Sequence, residues 1–277
     1  MRKSILVVAL LALPWAGCSQ DAVHDNPTRP SALCLAVTTS TRDSGLLDVL
    51  VPVFEREQGV RVDIVAVGTG AALKLGEAGD VDVVLVHARV AEDAFMADGH
   101  GVRREDVMVN TFEILGPAHD PVGIHEMKPA SALQKIAGSG QRFVSRGDNS
   151  GTHQRELKLW NDGGGRPQWD GYVESGQGMG ATLTMADQMQ AYVLSDRGTY
   201  LKFKKKTPLV PLVRSSKSLL NHYGIIVVNP QKHTGVNGEL AQAFVDFIIS
   251  ADSQQLIHDY QVDGEQLFYP LHLPNQN

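Results

Sequence analysis

Apolar positions follow two rhythms along the chain, and they take turns. Leu33 to Thr38 is a short apolar run with strand character, and Leu46, Leu47, Leu50, Val53 and Phe54 then recur at helical spacing. That spacing predicts a helix over 44–57, with Pro52 inside it positioned to kink or shorten it. Val60 to Val67 alternates as a strand, Ala71 to Glu77 reads as a helix closed by Gly79, and Val90 to Asp98 reads as another short helix. Val81 to Val86 is a nearly continuous apolar run, as expected of a strand covered on both faces. Strand and helix in strict alternation predict an α/β sheet with mostly parallel strands.

Two later runs are longer: Val107 to Gly116, and Leu219 to Asn229 with Tyr223-Gly224-Ile225-Ile226-Val227-Val228 at its centre. Between them lies a second α/β set, with helices at 131–137, 152–160 and 180–189 and strands at 142–146 and 191–195. Helices at 238–249 and 252–260 follow the second run. The pattern predicts two lobes joined by two crossing strands. One lobe is built from 32–113 and 224–277, and the other from 114–223. In open α/β sheets, ligands bind beyond the carboxyl ends of the strands, which places the expected site in the cleft between the lobes.

Composition narrows the class. The chain is 43% hydrophobic and 20% charged, enough for packed cores without a disulfide framework. Its net charge is −6 with no basic block, which argues against nucleic acid as a partner. Lys202 to Lys206 reads as a solvated turn.

Arg2 and Lys3 precede an apolar run from Ile5 to Trp15 and then Ala16-Gly17-Cys18, the layout of a secretory signal in 1–18. The run is too short for a permanent span of about 20 residues. Ala-Gly-Cys resembles a bacterial lipobox, although Trp15 stands where an aliphatic residue is usual. The expectation is an extracytoplasmic protein held by a lipid at Cys18, with residues 19–31 as a polar, proline-containing tether. Cleavage removes Arg2 and Lys3 and takes the mature charge to −8. Cys34 is then a lone thiol.

Four loops carry the same kind of chemistry. They are Thr38-Thr39-Ser40-Thr41, Gly68-Thr69-Gly70, Ser145 to His153, and Gly176 to Thr182. Each puts hydroxyls or glycine amides at the start of a helix. First-turn N–H groups have no intrahelical partner, and the helix dipole adds positive character. Any one such loop is ordinary capping. Four of them, two from each expected lobe, point to a shared site for a tetrahedral oxyanion. Arg146 adds a planar fork of donors, with Asp148 two residues along to orient it from behind. A donor-only site suits a dianion without a proton, such as sulfate, molybdate or tungstate. An inward-facing Asp148 would instead suit hydrogen phosphate, and the sequence leaves that orientation open.

Other patterns lead nowhere. Gly-x-Ser-x-Gly is absent, and Gly176-x-Gly178-x-Gly180 lacks the dinucleotide spacing. The 10 histidines are scattered, with no His-Glu-x-x-His and no paired cysteines, so no zinc site is expected. His153 reads as a surface or capping residue rather than a base. A phosphate-ester hydrolase using Ser150 or His153 remains the enzymatic alternative, and an anion sensor is a third class.

Thr39-Ser40-Thr41-Arg42-Asp43-Ser44-Gly45-Leu46-Leu47 closely resembles the N-terminal signature of tungstate-binding proteins of bacterial ABC transporters. So do Val67-Gly68-Thr69-Gly70, Leu73 to Asp80 and Val84-Leu85-Val86-His87-Ala88. Phe143 to His153, Gly176 to Leu183, Ser195 to Tyr200 and Val262 to Phe268 continue the match in order. The resemblance implies a type II periplasmic-binding-protein fold that closes on its anion. It implies a monomeric receptor without catalysis, cofactor or resident metal, which delivers tungstate, with molybdate as the near alternative, to a membrane permease. Carried over by motif, Thr39, Ser40 and Thr69 would donate from one lobe, and Arg146, Ser150, Gly151, Thr152 and Gly180 from the other. Val37 stands where another threonine is common and Asn149 where aspartate is common.

Overall fold

The computed structural model describes residues 32–273. The signal, lipobox and tether expected from the sequence all lie outside the described residues. The first lobe opens with β1 (Ala32–Thr38), α1 (Thr39–Ser44), α2 (Leu47–Gln58), β2 (Arg61–Val67), α3 (Thr69–Ala78), β3 (Val83–Val86) and α4 (Arg89–Ala97). The long strand β4 (Gly101–Gly116) leads out of it. The second lobe contains α5 (Pro129–Gly138), β5 (Phe143–Ser145), α6 (Gly151–Asp162), β6 (Tyr172–Glu174), α7 (Met179–Gln188), β7 (Tyr192–Asp196), α8 (Arg197–Phe203) and β8 (Val210–Val213). Strand β9 (Leu220–Val228) returns to the first lobe, which ends with α9 (Gly238–Ile249), α10 (Ala251–Asp259) and a tail of short strands.

The main sheet runs β2-β1-β3-β9-β4-β7-β5-β6. Strands β1, β2 and β3 are mutually parallel, as are β5, β6 and β7, so each lobe has its own parallel platform. The crossing strands β4 and β9 pair antiparallel from Gly101↔Val228 to Thr111↔Leu220. Their polar middle is closed by amides. Asn221 Nδ2 donates to Asn110 Oδ1 at 3.0 Å, and Asn110 Nδ2 donates to the Tyr223 hydroxyl at 3.1 Å. All three residues are buried, and the paired amides meet the requirement that buried polar groups be satisfied.

Each platform is covered on both faces. In the first lobe, Phe54, Phe244 and Ile248 pack against Leu35, Val83 and Ile225 on one side. Ala72, Leu73 and Phe95 pack against Ala36, Val84 and Ile226 on the other. This is why β3 reads Val-Val-Leu-Val with no polar position. In the second lobe, Trp160, Ile136 and Phe143 form one layer and Val144, Leu183 and Val193 the other.

The helix expected over 44–57 is divided in two. Gly45 takes φ +87° and caps α1, which the left-handed conformation reserves for glycine. Helix α2 then continues through Pro52 without shortening. Helix α8 escapes the sequence pattern, because its apolar Leu201 and Phe203 lie against the lysine run. Leu201 joins the core of the first lobe, while Phe203 packs on that of the second. The solvated turn expected over Lys202–Lys206 is thus partly helix, and Lys204 Nζ and Lys205 Nζ are paired with Glu265 and Asp263.

Candidate functional site

Every loop singled out in the sequence lies at the carboxyl end of a parallel strand. Thr39 follows β1, Gly68 follows β2, Arg146 follows β5 and Ser175 follows β6. Strand β1 aligns Thr38 with Val67 of β2, which brings the first residues of α1 and α3 to neighbouring strand ends. Helices α3 and α7 start directly after Gly68 and Gly178, neither of which supplies a side-chain cap. Their first-turn amides are left for something else to satisfy.

A cavity of about 440 Å³ opens between the lobes. Thr39, Ser40, Asp43 and Ser44 line it from the first lobe, and Arg146, Gly178 and Gly180 line it from the second, with Thr199, Lys202 and Phe203 of α8 alongside. Of the residues expected from the sequence, the structure therefore brings Thr39, Ser40, Arg146 and Gly180 to one cavity. Thr69, Ser150, Gly151 and Thr152 are not part of that lining. Gly151 lies beside His87 instead: a Cβ on Gly151 would approach His87 Cε1 to 2.7 Å. Thr152 is buried at 5% exposure.

The Ser145–His153 loop is internally braced. Gly147 and Asn149 both take φ +60°, a region glycine enters freely and asparagine tolerates. Arg146 pairs with Asp148, and its Nε donates to Gln177 O at 3.2 Å. Asp148 Oδ1 accepts the Ser150 amide at 3.1 Å. Partial burial pushes the Asp148 carboxyl up, but bonds from Ser150 and the Arg146 guanidinium outweigh it and hold the group below its ordinary range. The carboxylate is thus held by the arginine and is not part of the cavity lining, in keeping with the first of the two orientations open from sequence. Ser150 Oγ accepts the His153 amide at 3.3 Å, and His153 Nδ1 accepts the Asn149 amide at 3.0 Å. His153 is the capping residue the sequence suggested.

Beneath the loop, Ser145 Oγ donates to Glu156 Oε2 at 2.6 Å and accepts the Gly147 amide at 3.2 Å. Glu156 is 1% exposed and also takes bonds from Trp160 and Tyr172. Burial raises its pKa against those hydrogen bonds.

Sequence reasoning missed two contributors. Lys202 adds a second cation to the cavity, hidden in what read as a solvated turn. His87, visible only as part of a longer motif, sits with Nε2 3.4 Å from Ser40 Oγ. Desolvation lowers its pKa to about 4, so the ring is neutral at ordinary pH. Among the described residues, no group of three or more His, Cys, Asp and Glu is placed to hold a metal ion. Cys34 is a free thiol whose pKa burial raises.

The model of the PBP superfamily domain matches residues 24–252. The tungstate-binding protein TupA of Peptoclostridium acidaminophilum is 45% identical, over 98% of this chain and 96% of its own. Among solved structures, the tungstate-binding protein TupA from Desulfovibrio alaskensis G20 superposes with TM-score 0.81 at 45% identity, covering 87% of this chain and 99% of that one. The tungstate ABC transporter structure from Geobacter sulfurreducens superposes with TM-score 0.76 at 53% identity, covering 83% and 98%.

Proposed function

Because this chain belongs to the PBP superfamily and, within it, to the family of tungstate-binding proteins of ABC transporters, we propose that it captures tungstate between its lobes and delivers it to a membrane permease. The observation that carries this reading is the composition of the interlobe cavity. Hydroxyls, glycine amides, Arg146 and Lys202 face one small space from both lobes. The carboxylate of Asp148 is engaged by Arg146 and the Ser150 amide and does not line the cavity. Asp43, which also lines the cavity, is paired with Arg42 at 2.7 Å. A tetrahedral dianion without protons offers only acceptors, and such a wall offers it donors.

Thr39, Ser40, Arg146 and Gly180 are the proposed first contacts. Thr69, Ser150, Gly151 and Thr152 are proposed to join them through first-turn amides and hydroxyls once the lobes draw together. The anion then bridges both halves, and its preference for the closed state shifts the hinge. Closure excludes water and strengthens every charge-assisted hydrogen bond.

The proposed role is binding: Ser150 Oγ accepts the His153 amide and His153 Nδ1 accepts the Asn149 amide, so both side chains brace the loop. The mature protein is proposed to be a monomer outside the cytoplasm, tethered by a lipid on Cys18. Its lobes are proposed as 32–113 with 224–277, and 114–223.

Calorimetric titration with tungstate, molybdate, sulfate and phosphate tests the assignment. Tungstate is expected to bind tightly, molybdate to compete, and phosphate to give no heat. Tight phosphate binding with no tungstate response would reject it.

A further inference from the structure

Ser40 stands out among the cavity hydroxyls because its neighbours can be counted. Thr38 Oγ1 lies 2.6 Å from Thr41 Oγ1, 3.1 Å from Ser40 Oγ and 3.2 Å from the Thr41 amide that it caps. Ser40 Oγ lies 3.4 Å from His87 Nε2. His87 follows β3, lies tilted against the Tyr223 ring with centroids 4.9 Å apart, and faces the Gly151 end of α6. Its Nδ1 is enclosed and has no hydrogen-bond partner.

The protons of this chain can be assigned. A hydroxyl has one proton to give and two lone pairs to accept with. A proton on His87 Nδ1 would be an orphaned buried donor, which native structures rarely tolerate, so the proton belongs on Nε2. His87 Nε2–H therefore donates to Ser40 Oγ. Thr41 is fully buried and its hydroxyl bonds only to Thr38 Oγ1, so the Thr41 proton goes to Thr38; together with the Thr41 amide it fills both Thr38 lone pairs. The Thr38 proton goes to Ser40 Oγ. Both Ser40 lone pairs are then occupied, and the Ser40 proton has only the cavity to point into.

We infer that His87 is a specificity-determining positioning residue: by donating to Ser40 it fixes that hydroxyl as a donor to bound oxyanion and denies it any acceptor role. The inference rests on the proposed tungstate site and adds a reason for its selectivity. Tungstate gains a donor already aimed at it. Hydrogen phosphate must bury its own O–H, and against Ser40 it meets another proton where it needs a lone pair. The unpaired donor is penalised. His87 touches no ligand in this scheme; it acts through Ser40.

A double-mutant cycle on the mature protein tests it, with tungstate and phosphate as titrants. His87→Met removes the donor at similar bulk, and His87→Gln places an amide N–H near the position of Nε2. Expected results are a loss of about tenfold in tungstate affinity for His87→Met, near-full recovery in His87→Gln, and a narrowed tungstate-to-phosphate ratio in His87→Met alone. In a Ser40→Ala background, His87→Met should then change tungstate affinity less than about twofold, since interacting pairs are non-additive. Full additivity of the two losses would overturn the inference, as would equal losses in the Met and Gln variants. Wild-type protein that fails to bind tungstate would instead overturn the function itself.

Discussion

Arg197 Nη1 donates to Glu113 Oε1 at 2.6 Å, tying the first residue of α8 to the crossing strand β4. The second guanidinium nitrogen donates to Glu265 Oε2 at 2.5 Å, so the same arginine also holds the C-terminal segment. Glu113 is 1% exposed, and its Oε2 has no hydrogen-bond partner. Helix α8 in turn presents Gly198, Thr199, Lys202 and Phe203 to the interlobe cavity.

Arg197→Met is expected to destabilise the protein by about 3 kcal/mol, because it strands a buried carboxylate without its cation. Adding Glu113→Gln should restore a good part of that loss by removing the charge. Urea denaturation of the single and double variants measures both. If Arg197→Met unfolds at the wild-type urea concentration, the pair has no structural weight.

Arg146→Ala is expected to weaken tungstate binding about a hundredfold, consistent with loss of charge-assisted hydrogen bonds of roughly 2–3 kcal/mol. Arg146→Lys should recover only part of it, since an ammonium cannot reproduce the fork held by Asp148 and Gln177. Calorimetry on the two variants decides, and an unchanged affinity in Arg146→Ala would place the anion elsewhere.

Gly151→Ala is expected to reduce tungstate affinity while leaving unfolding almost unaltered. The added methyl would lie 2.7 Å from His87 Cε1, across the gap between lobes, so it opposes approach of the lobes rather than folding of either. Affinity and thermal midpoint measured on one preparation separate the two effects. Gly151 itself is an ordinary helix residue that follows the Ser150 cap, so a negative result would not come from backbone strain.

Glu156 provides a pH test. Its folded pKa is raised by burial, so its contribution to stability is complete below the unfolded value near 4.5 and is lost as pH rises through the higher folded value. Glu156→Gln keeps the shape and cannot ionise, and the Ser145 hydroxyl can reverse to accept from the new amide. The variant should therefore gain on wild type above pH 4.5, by roughly 1.4 kcal/mol per pH unit until the buried carboxyl itself ionises. Parallel denaturation series across that range check the sign. A difference that stays flat, or that favours wild type with rising pH, would contradict it.

The backbone rhythm of this protein is legible without coordinates because it depends on neighbours in sequence. Period-two and period-3.6 apolar patterns mark out β2 and α9 nearly residue for residue. The two long crossing strands stand out by length and apolar content alone. The anion loops are equally visible, because an uncapped glycine start such as Gly178 and the Ser150 cap are local features. What the sequence could not supply was the element whose apolar face is split between two cores. Helix α8 sends Leu201 one way and Phe203 the other, and neither contact exists until both lobes are assembled.

Local order and the donor character of the loops were thus fixed by composition and spacing, since capping and periodicity act within a few residues. Which loops share one cavity, whether Asp148 joins its lining, and how His87 comes to stand beside Ser40, 47 residues away in the chain, were decided only by tertiary packing. The reason is that a proton's direction depends on which partners surround its oxygen. Those partners arrive from strands that meet only in the folded sheet.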